Sequence, residues 1–230
     1  MFLQGKDLRM MQATLSNDLE KVSKWLKVNK LSLNIDKTHF MLFCGRKKVD
    51  DDLNIKIDGQ YINRVSSTKF LGVTIDELLI WKEHILNISK KMARAIGILN
   101  KVKYLLDKQT LLNLYYTFVY PYMIYCNHVW DNTCKTYVEK LVKLQKRAIR
   151  IVTSSKYNAH TAPLFAELKC LTMTQIHEYT MGVFMFKYIN KELPCVFDGM
   201  FVFNMDIHQH STRSANLLHV PAIHTNLGKR

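Results

Sequence analysis

The chain has 230 residues, enough for one large or two small domains with a sizeable core. Hydrophobic residues at 48% and aromatics at 11% exclude wholesale disorder. Lys and Arg number 33 against 19 Asp and Glu, a formal charge of +14, and a folded protein this basic meets a polyanion or an acidic protein partner.

Lys6 to Asn29 reads as a helix, because Leu8, Met11, Leu15, Leu19, Val22 and Leu26 recur every three or four residues without a Gly or Pro. Leu31 to Ile35 alternates apolar and polar, and Thr38 to Cys44 is rich in β-formers, so both read as strands. Gly45 to Asp52 is a charged turn. Short strands are expected at Leu53 to Ile57, Tyr61 to Val65 and Lys69 to Ile75, with a turn at Asp58-Gly59. After Asp76 the pattern turns helical: Trp81 to Leu106 is long and basic, and Lys108 to Val119 is apolar. A new turn starts at Pro121; Lys135 to Val152 is strongly amphipathic, and Thr174 to Asn190 is apolar and closed by Leu193-Pro194. Beyond that the periodicity fades, and the end of the chain reads as extended or disordered.

The fold class expected is α+β: a helix plus a small antiparallel sheet over 1–76, then an all-α helical bundle over 77–203, then a tail over 204–230. Gln109 to Trp130 carries no acidic, Lys or Arg side chain and has the length of a membrane span. Its asparagines, five tyrosines and central Pro121 favour a buried helix that breaks at the proline instead. No signal peptide or transmembrane segment is expected. With the five cysteines widely spaced and without a CxxC pair, a reducing intracellular location, nucleus or cytoplasm, fits better than a disulfide framework or zinc site.

The basic residues are patterned. Between Trp81 and Lys108, Lys82, Lys90, Lys91, Arg94, Lys101, Lys103 and Lys108 outnumber Glu83 and Asp107. Between Lys135 and Val152, Lys140, Lys143, Arg147 and Arg150 recur at one set of helical offsets. Leu141, Leu144, Ala148 and Ile151 repeat the same offsets one residue on. One face is thus cationic beside an apolar one, as a helix needs to dock on a core and track phosphates. An ordinary solvated face or a membrane-surface helix would carry the same stripes. His208, His210, His219 and His224 have no nearby cysteine and read as loop histidines rather than metal ligands.

Three segments carry a family resemblance. Asp18 to Phe43, DLEKVSKWLKVNKLSLNIDKTHFMLF, has an amphipathic helix, a tight turn and an Asn-x-x-Lys-Thr pattern at Asn34, Lys37 and Thr38. Lys69 to Asp76, KFLGVTID, is followed by the basic stretch from Trp81 to Leu106 and then by LYYTFVYPYMIYCNHVW. In combination these resemble the C-terminal part of non-LTR (LINE-type) retrotransposon reverse transcriptases: the end of the palm, the primer grip and the thumb.

The resemblance implies that Phe70, Leu71 and Gly72 form a primer-grip turn, where a glycine lets a nucleic-acid backbone come close. A plain hairpin with Phe70 and Leu71 in the core is the alternative. It implies RNA, DNA and RNA–DNA hybrid as partners, with Lys90, Lys91, Arg94, Lys101, Lys140, Lys143, Arg147 and Arg150 as their contacts. Lys37 corresponds to a lysine near the departing pyrophosphate, or is a surface lysine on a strand edge.

In the full enzyme, three carboxylates hold two Mg²⁺ ions, two of them in a Tyr-x-Asp-Asp hairpin expected just before Met1. The chain holds no such motif, so no cofactor is expected in it, and the N-terminal palm and fingers are expected to be missing. Asp50, Asp51 and Asp52 stand in the wrong order and context to replace it. The function implied is a reverse transcriptase fragment that holds template–primer duplex without polymerising. The alternatives are a non-enzymatic basic nucleic-acid-binding remnant and a helical protein-interaction module.

Overall fold

Asp7 starts the first helix: its carboxylate accepts the N–H groups of Arg9 and Met10 at 2.8 and 3.4 Å, satisfying two donors that a helix start leaves open. In the computed structural model, which describes residues 1–44, 53–207, 213–220 and 222, this helix (α1) runs Leu8–Val28. The chain divides into two compact units, Met1–His84 and Ile85–Arg230. Together they form an α+β protein whose C-terminal region is helical.

In the first unit, short strand pairs follow α1. β1 (His39–Phe40) is paired with β4 (Asn63–Arg64). β2 (Lys56–Ile57) and β3 (Gln60–Tyr61) form a hairpin, as do β5 (Ser67–Phe70) and β6 (Val73–Asp76). The β1–β4 pair is parallel, so the sheet structure is not wholly antiparallel. Asp58 and Gly59 turn β2 into β3 with φ of 53° and 78°, the left-handed pair that a two-residue hairpin requires.

Ile55, Ile57 and Ile62 form a buried cluster, and Leu15 and Leu19 of α1 lie partly buried against it. No residue of α1 is fully buried, and Val22, expected on its apolar face, is exposed.

Several strand expectations fail locally. Leu31 to Ile35 is not a strand; Ile35–Lys37 forms a single 3₁₀ turn instead. Asn34 makes that turn, its side chain accepting the Lys37 N–H at 3.1 Å, while the Thr38 hydroxyl donates to the Asn34 carbonyl at 2.8 Å. The strand expected over Thr38 to Cys44 shrinks to His39–Phe40. Lys69 to Ile75 is broken at Leu71-Gly72 into two strands. The charged turn at Gly45 to Asp52 lies outside the described residues.

The helices match their periodicity more closely. α2 runs Lys82–Val102, α3 Lys108–Phe118, α4 Tyr120–Ile124 and α5 Asn127–Trp130. α6 (Lys135–Val152), α7 (Ala162–Leu168) and α8 (Met173–Ile189) follow. Pro121 opens α4, where a missing N–H costs nothing, and Cys126, left-handed at φ 51°, separates α4 from α5. The uncharged stretch from Gln109 is therefore three helices, and among the described residues no helix is long and apolar enough to cross a membrane.

Tyr115, Met123, Trp130, Leu141, Ile149, Met173 and Ile176 are completely buried within the second unit. At their centre sits Gln145. Its amide donates to the Tyr115 hydroxyl at 3.1 Å and the Leu171 carbonyl at 2.9 Å, and its oxygen accepts the Met173 N–H at 3.0 Å. One polar side chain thus ties α3, α6 and the start of α8 with its hydrogen bonds satisfied.

The described part of the tail is not extended. Asn204–Ile207 is a helical turn (α9), and Phe203 bridges Leu218, so the chain doubles back. His219 belongs to this fold-back, its N–H donating to the Val202 carbonyl at 2.7 Å. His208, His210 and His224 lie outside the described residues.

Candidate nucleic-acid interface

α2 turns one side to its core and the other to water. Ile85, Ile88, Met92, Ala95, Ile96 and Leu99 are buried at the spacings of one helical face. At 3.6 residues per turn, Lys90, Arg94 and Lys101 fall on the opposite side, and all three are exposed. Lys91 is exposed at the flank, its ammonium 5.5 Å from the centre of the Tyr122 ring of α4.

α6 is built the same way, with one change in its buried face. Leu141, Gln145, Ala148, Ile149, Ile151 and Val152 are buried, whereas Leu144 is only half covered. Lys140, Lys143 and Arg147 are exposed, as is Lys146 between them, which the offset pattern passed over.

Arg150 departs from the expected set. It is half-buried, and its Nε donates to the Ala159 carbonyl at 2.9 Å, so it fastens the loop after α6 instead of facing solvent with the others. A four-residue spacing identifies a helix face but not which neighbour folds over its end.

Among the described residues, none of Lys90, Lys91, Arg94, Lys101, Lys140, Lys143 and Arg147 takes part in an ion pair. The basic residues that do are elsewhere, such as Lys108 with Glu167 and Arg64 with Glu77. Among the described residues the charge of these two faces is therefore not compensated by ion pairs, the condition for exchanging counterions with phosphates.

In the first unit, Phe70, Leu71 and Gly72 form the β5–β6 tip, with Leu71 and Gly72 left-handed at φ 45° and 88°. Phe70 and Leu71 are exposed, which overturns the alternative that they pack into the core. Asp76, at the end of β6, was not singled out by sequence reasoning. Its carboxylate accepts the N–H groups of Leu78, Ile80 and Trp81 at 3.2, 3.0 and 2.8 Å, shaping the entry to α2. Lys37 is exposed at the end of its 3₁₀ turn rather than on a strand edge.

The comparisons with known proteins fall on one group. The chain is 24% identical over 173 residues to a probable RNA-directed DNA polymerase from transposon BS of Drosophila melanogaster. It is 21% identical over 169 residues to the polymerase from mobile element jockey of the same fly, and 23% identical over 158 residues to the jockey polymerase of Drosophila funebris. The chain is similar to the RNA-directed DNA polymerases of non-LTR retrotransposons. These matches take in 72%, 72% and 67% of the chain but 19%, 18% and 17% of the polymerases, so it spans under a fifth of their length. No protein-family profile and no solved structure matches it.

The similarity raises the question of Mg²⁺. Among the described residues no group of three or more His, Cys, Asp or Glu side chains could hold a metal ion. Asp50, Asp51 and Asp52 lie outside the described residues.

One buried polar cluster stands apart from the cationic faces. Asn127, fully buried at the start of α5, accepts the Thr180 hydroxyl at 3.1 Å and lies 3.1 Å from His177 Nδ1. His177 also pairs with Asp131 at 3.3 Å. Burial pushes the Asp131 carboxyl up to about 6, against the pull of His177, and among the described residues its Oδ1 has no hydrogen-bond partner. His128, stacked on Phe184, is held below the ordinary histidine range by burial and by His177. These contacts join α5 to α8.

Proposed function

We propose that this chain is the part of a retrotransposon reverse transcriptase that holds template–primer duplex, gripping RNA–DNA hybrid or DNA through phosphates. One observation carries the reading. α2 and α6 are each anchored by a buried face, and each presents cations outside any ion pair among the described residues: Lys90, Arg94 and Lys101, and Lys140, Lys143 and Arg147.

A rigid row of such charges tracks a polyanion without reading its sequence, as a polymerase sliding along any template requires. Similarity to proteins named as RNA-directed DNA polymerases supports the choice of nucleic acid over an acidic protein. The exposed β5–β6 tip, Phe70-Leu71-Gly72, is read as the primer grip. Polymerisation would need carboxylates that hold Mg²⁺, and among the described residues no such group is present; Lys37 could act on a departing pyrophosphate only beside such a centre.

The test replaces Lys140, Lys143 and Arg147 together by Gln and leaves Arg150 in place, because Arg150 holds the loop after α6. Binding to duplexes of unrelated sequence should weaken alike. The slope of log K against log salt should flatten by roughly two to three, about 0.9 for each phosphate no longer neutralised. Unchanged affinity and slope would remove α6 from the interface. Absence of binding by the unaltered chain at low salt would favour an acidic protein partner.

A further inference from the structure

Among the described residues, two tyrosines are more exposed than any other Phe, Tyr or Trp: Tyr104 is 85% exposed and Tyr157 is 92% exposed. Their positions repeat. Tyr104 follows Lys103 just past the end of α2, and Tyr157 follows Lys156 just past the end of α6. The two helices that carry the cationic faces are thus both followed by a Lys-Tyr pair whose ring faces outward, Lys156 being exposed and Lys103 half-buried.

Neither ring hangs on an unstructured stretch. The Lys103 ammonium lies 4.8 Å from the centre of the Tyr104 ring, and Leu105, itself exposed, donates its N–H to the Val102 carbonyl at 2.9 Å. Tyr157 sits in the loop that Arg150 fastens. Ser155 donates to the Arg150 carbonyl and Ala159 to the Lys156 carbonyl, at 2.9 and 3.0 Å.

We infer that Tyr104 and Tyr157 are stacking platforms for unpaired bases, in a single-stranded stretch adjoining the duplex held by α2 and α6. The inference rests on the nucleic-acid reading above and names the part of the ligand that reaches the helix ends. A paired base offers its faces only to its neighbours in the stack, whereas an unpaired base offers them to a ring. An aromatic face accepts any base, so the contact is sequence-tolerant, and the adjacent lysine meets the phosphate beside it. With Lys103 over one face of Tyr104, the other face remains for the base.

The experiment compares a blunt RNA–DNA hybrid, the same hybrid with a single-stranded extension, and the single strand alone. The proteins are the full chain, Tyr104→Ala, Tyr157→Ala, the double variant and the two Phe counterparts. Both rings are solvated, so the variants should keep the helical spectrum of the parent. The parent should bind the extended hybrid more tightly than the blunt one. Each Ala change should remove roughly tenfold of affinity for the extended form alone, the Phe changes should remove little, and blunt binding should not move.

Ala variants that bind the extended hybrid like the parent, or weaken blunt and extended binding equally, overturn the inference. So does loss of binding to phosphatidylserine vesicles on Ala substitution without any change toward the extended hybrid, which would make the rings membrane anchors. Failure of the blunt hybrid alone, with tyrosine-dependent binding of the single strand intact, would strike the duplex reading and spare this one.

Discussion

At the scale of single residues, the structure separates charge that is free to act from charge that is engaged. Arg150 and Arg147 look alike in a helical pattern, yet only Arg150 is tied to a backbone carbonyl. Asp131 shows what burial does to a carboxylate. Its pKa, raised to about 6 by desolvation, means that the fold favours the protonated form. That contribution is complete below the ordinary carboxylate range and is lost as pH rises through about 6, leaving an ionised group whose Oδ1 has no partner among the described residues. Asp131→Asn should remove this loss. Its stability relative to the parent should increase between about pH 4 and pH 7 and level off above, with a span on the order of 2–3 kcal/mol. His128, depressed by burial and by His177, works in the opposite direction, but it is common to both proteins and cancels in the difference. Thermal or urea unfolding across pH measures this, and a difference that stays constant with pH would show that Asp131 titrates normally.

At the scale of elements, two hairpins make the same left-handed turn with different residues. Asp58-Gly59 is a sequence that such turns favour, while Leu71-Gly72 places a bulky side chain where Cβ is crowded. On the primer-grip reading, the strain at Leu71 is borne so that its exposed side chain can meet nucleic acid. Leu71→Asn should therefore raise unfolding stability, by about 0.5–1 kcal/mol, and weaken nucleic-acid binding. A drop in stability would show that the leucine side chain packs to greater effect than its backbone strain. The helices differ in the same quantifiable way. α1 buries no residue completely, whereas α2 and α6 each bury a full face. Amides of Leu8–Val28 should exchange with solvent hydrogen well before those of residues 88–99 and 141–152, because local opening of α1 exposes little apolar surface. Equal protection throughout would mean that α1 is held as firmly as the helices of the second unit.

At the scale of the whole molecule, charge and chemistry part company. The 230 residues carry +14 and no Tyr-x-Asp-Asp motif. As a separate polypeptide they are expected to bind primed template and to extend no primer when given dNTPs and Mg²⁺. Templated extension by chain freed of contaminating polymerases would require a carboxylate site that the proposed function lacks. The sequence by itself determined the long helices, since an apolar repeat of three or four residues has one way to bury itself; α6 matches its periodic stretch residue for residue. It also determined the excess of cations and the similarity to polymerases, which rest on residue identity alone. It found where most of the strands lie but overstated their extent and added one at Leu31 to Ile35, because segments as short as His39–Phe40 are set by distant partners such as Asn63–Arg64 rather than by local preference. Only the tertiary structure decided that Arg150 turns to the Ala159 carbonyl, that Phe70 and Leu71 face water, and that Gln145 belongs to the core. Each depends on which groups meet across the fold, and hydrogen-bond partners and solvent exposure are fixed by that meeting, not by the residue's neighbours in the chain.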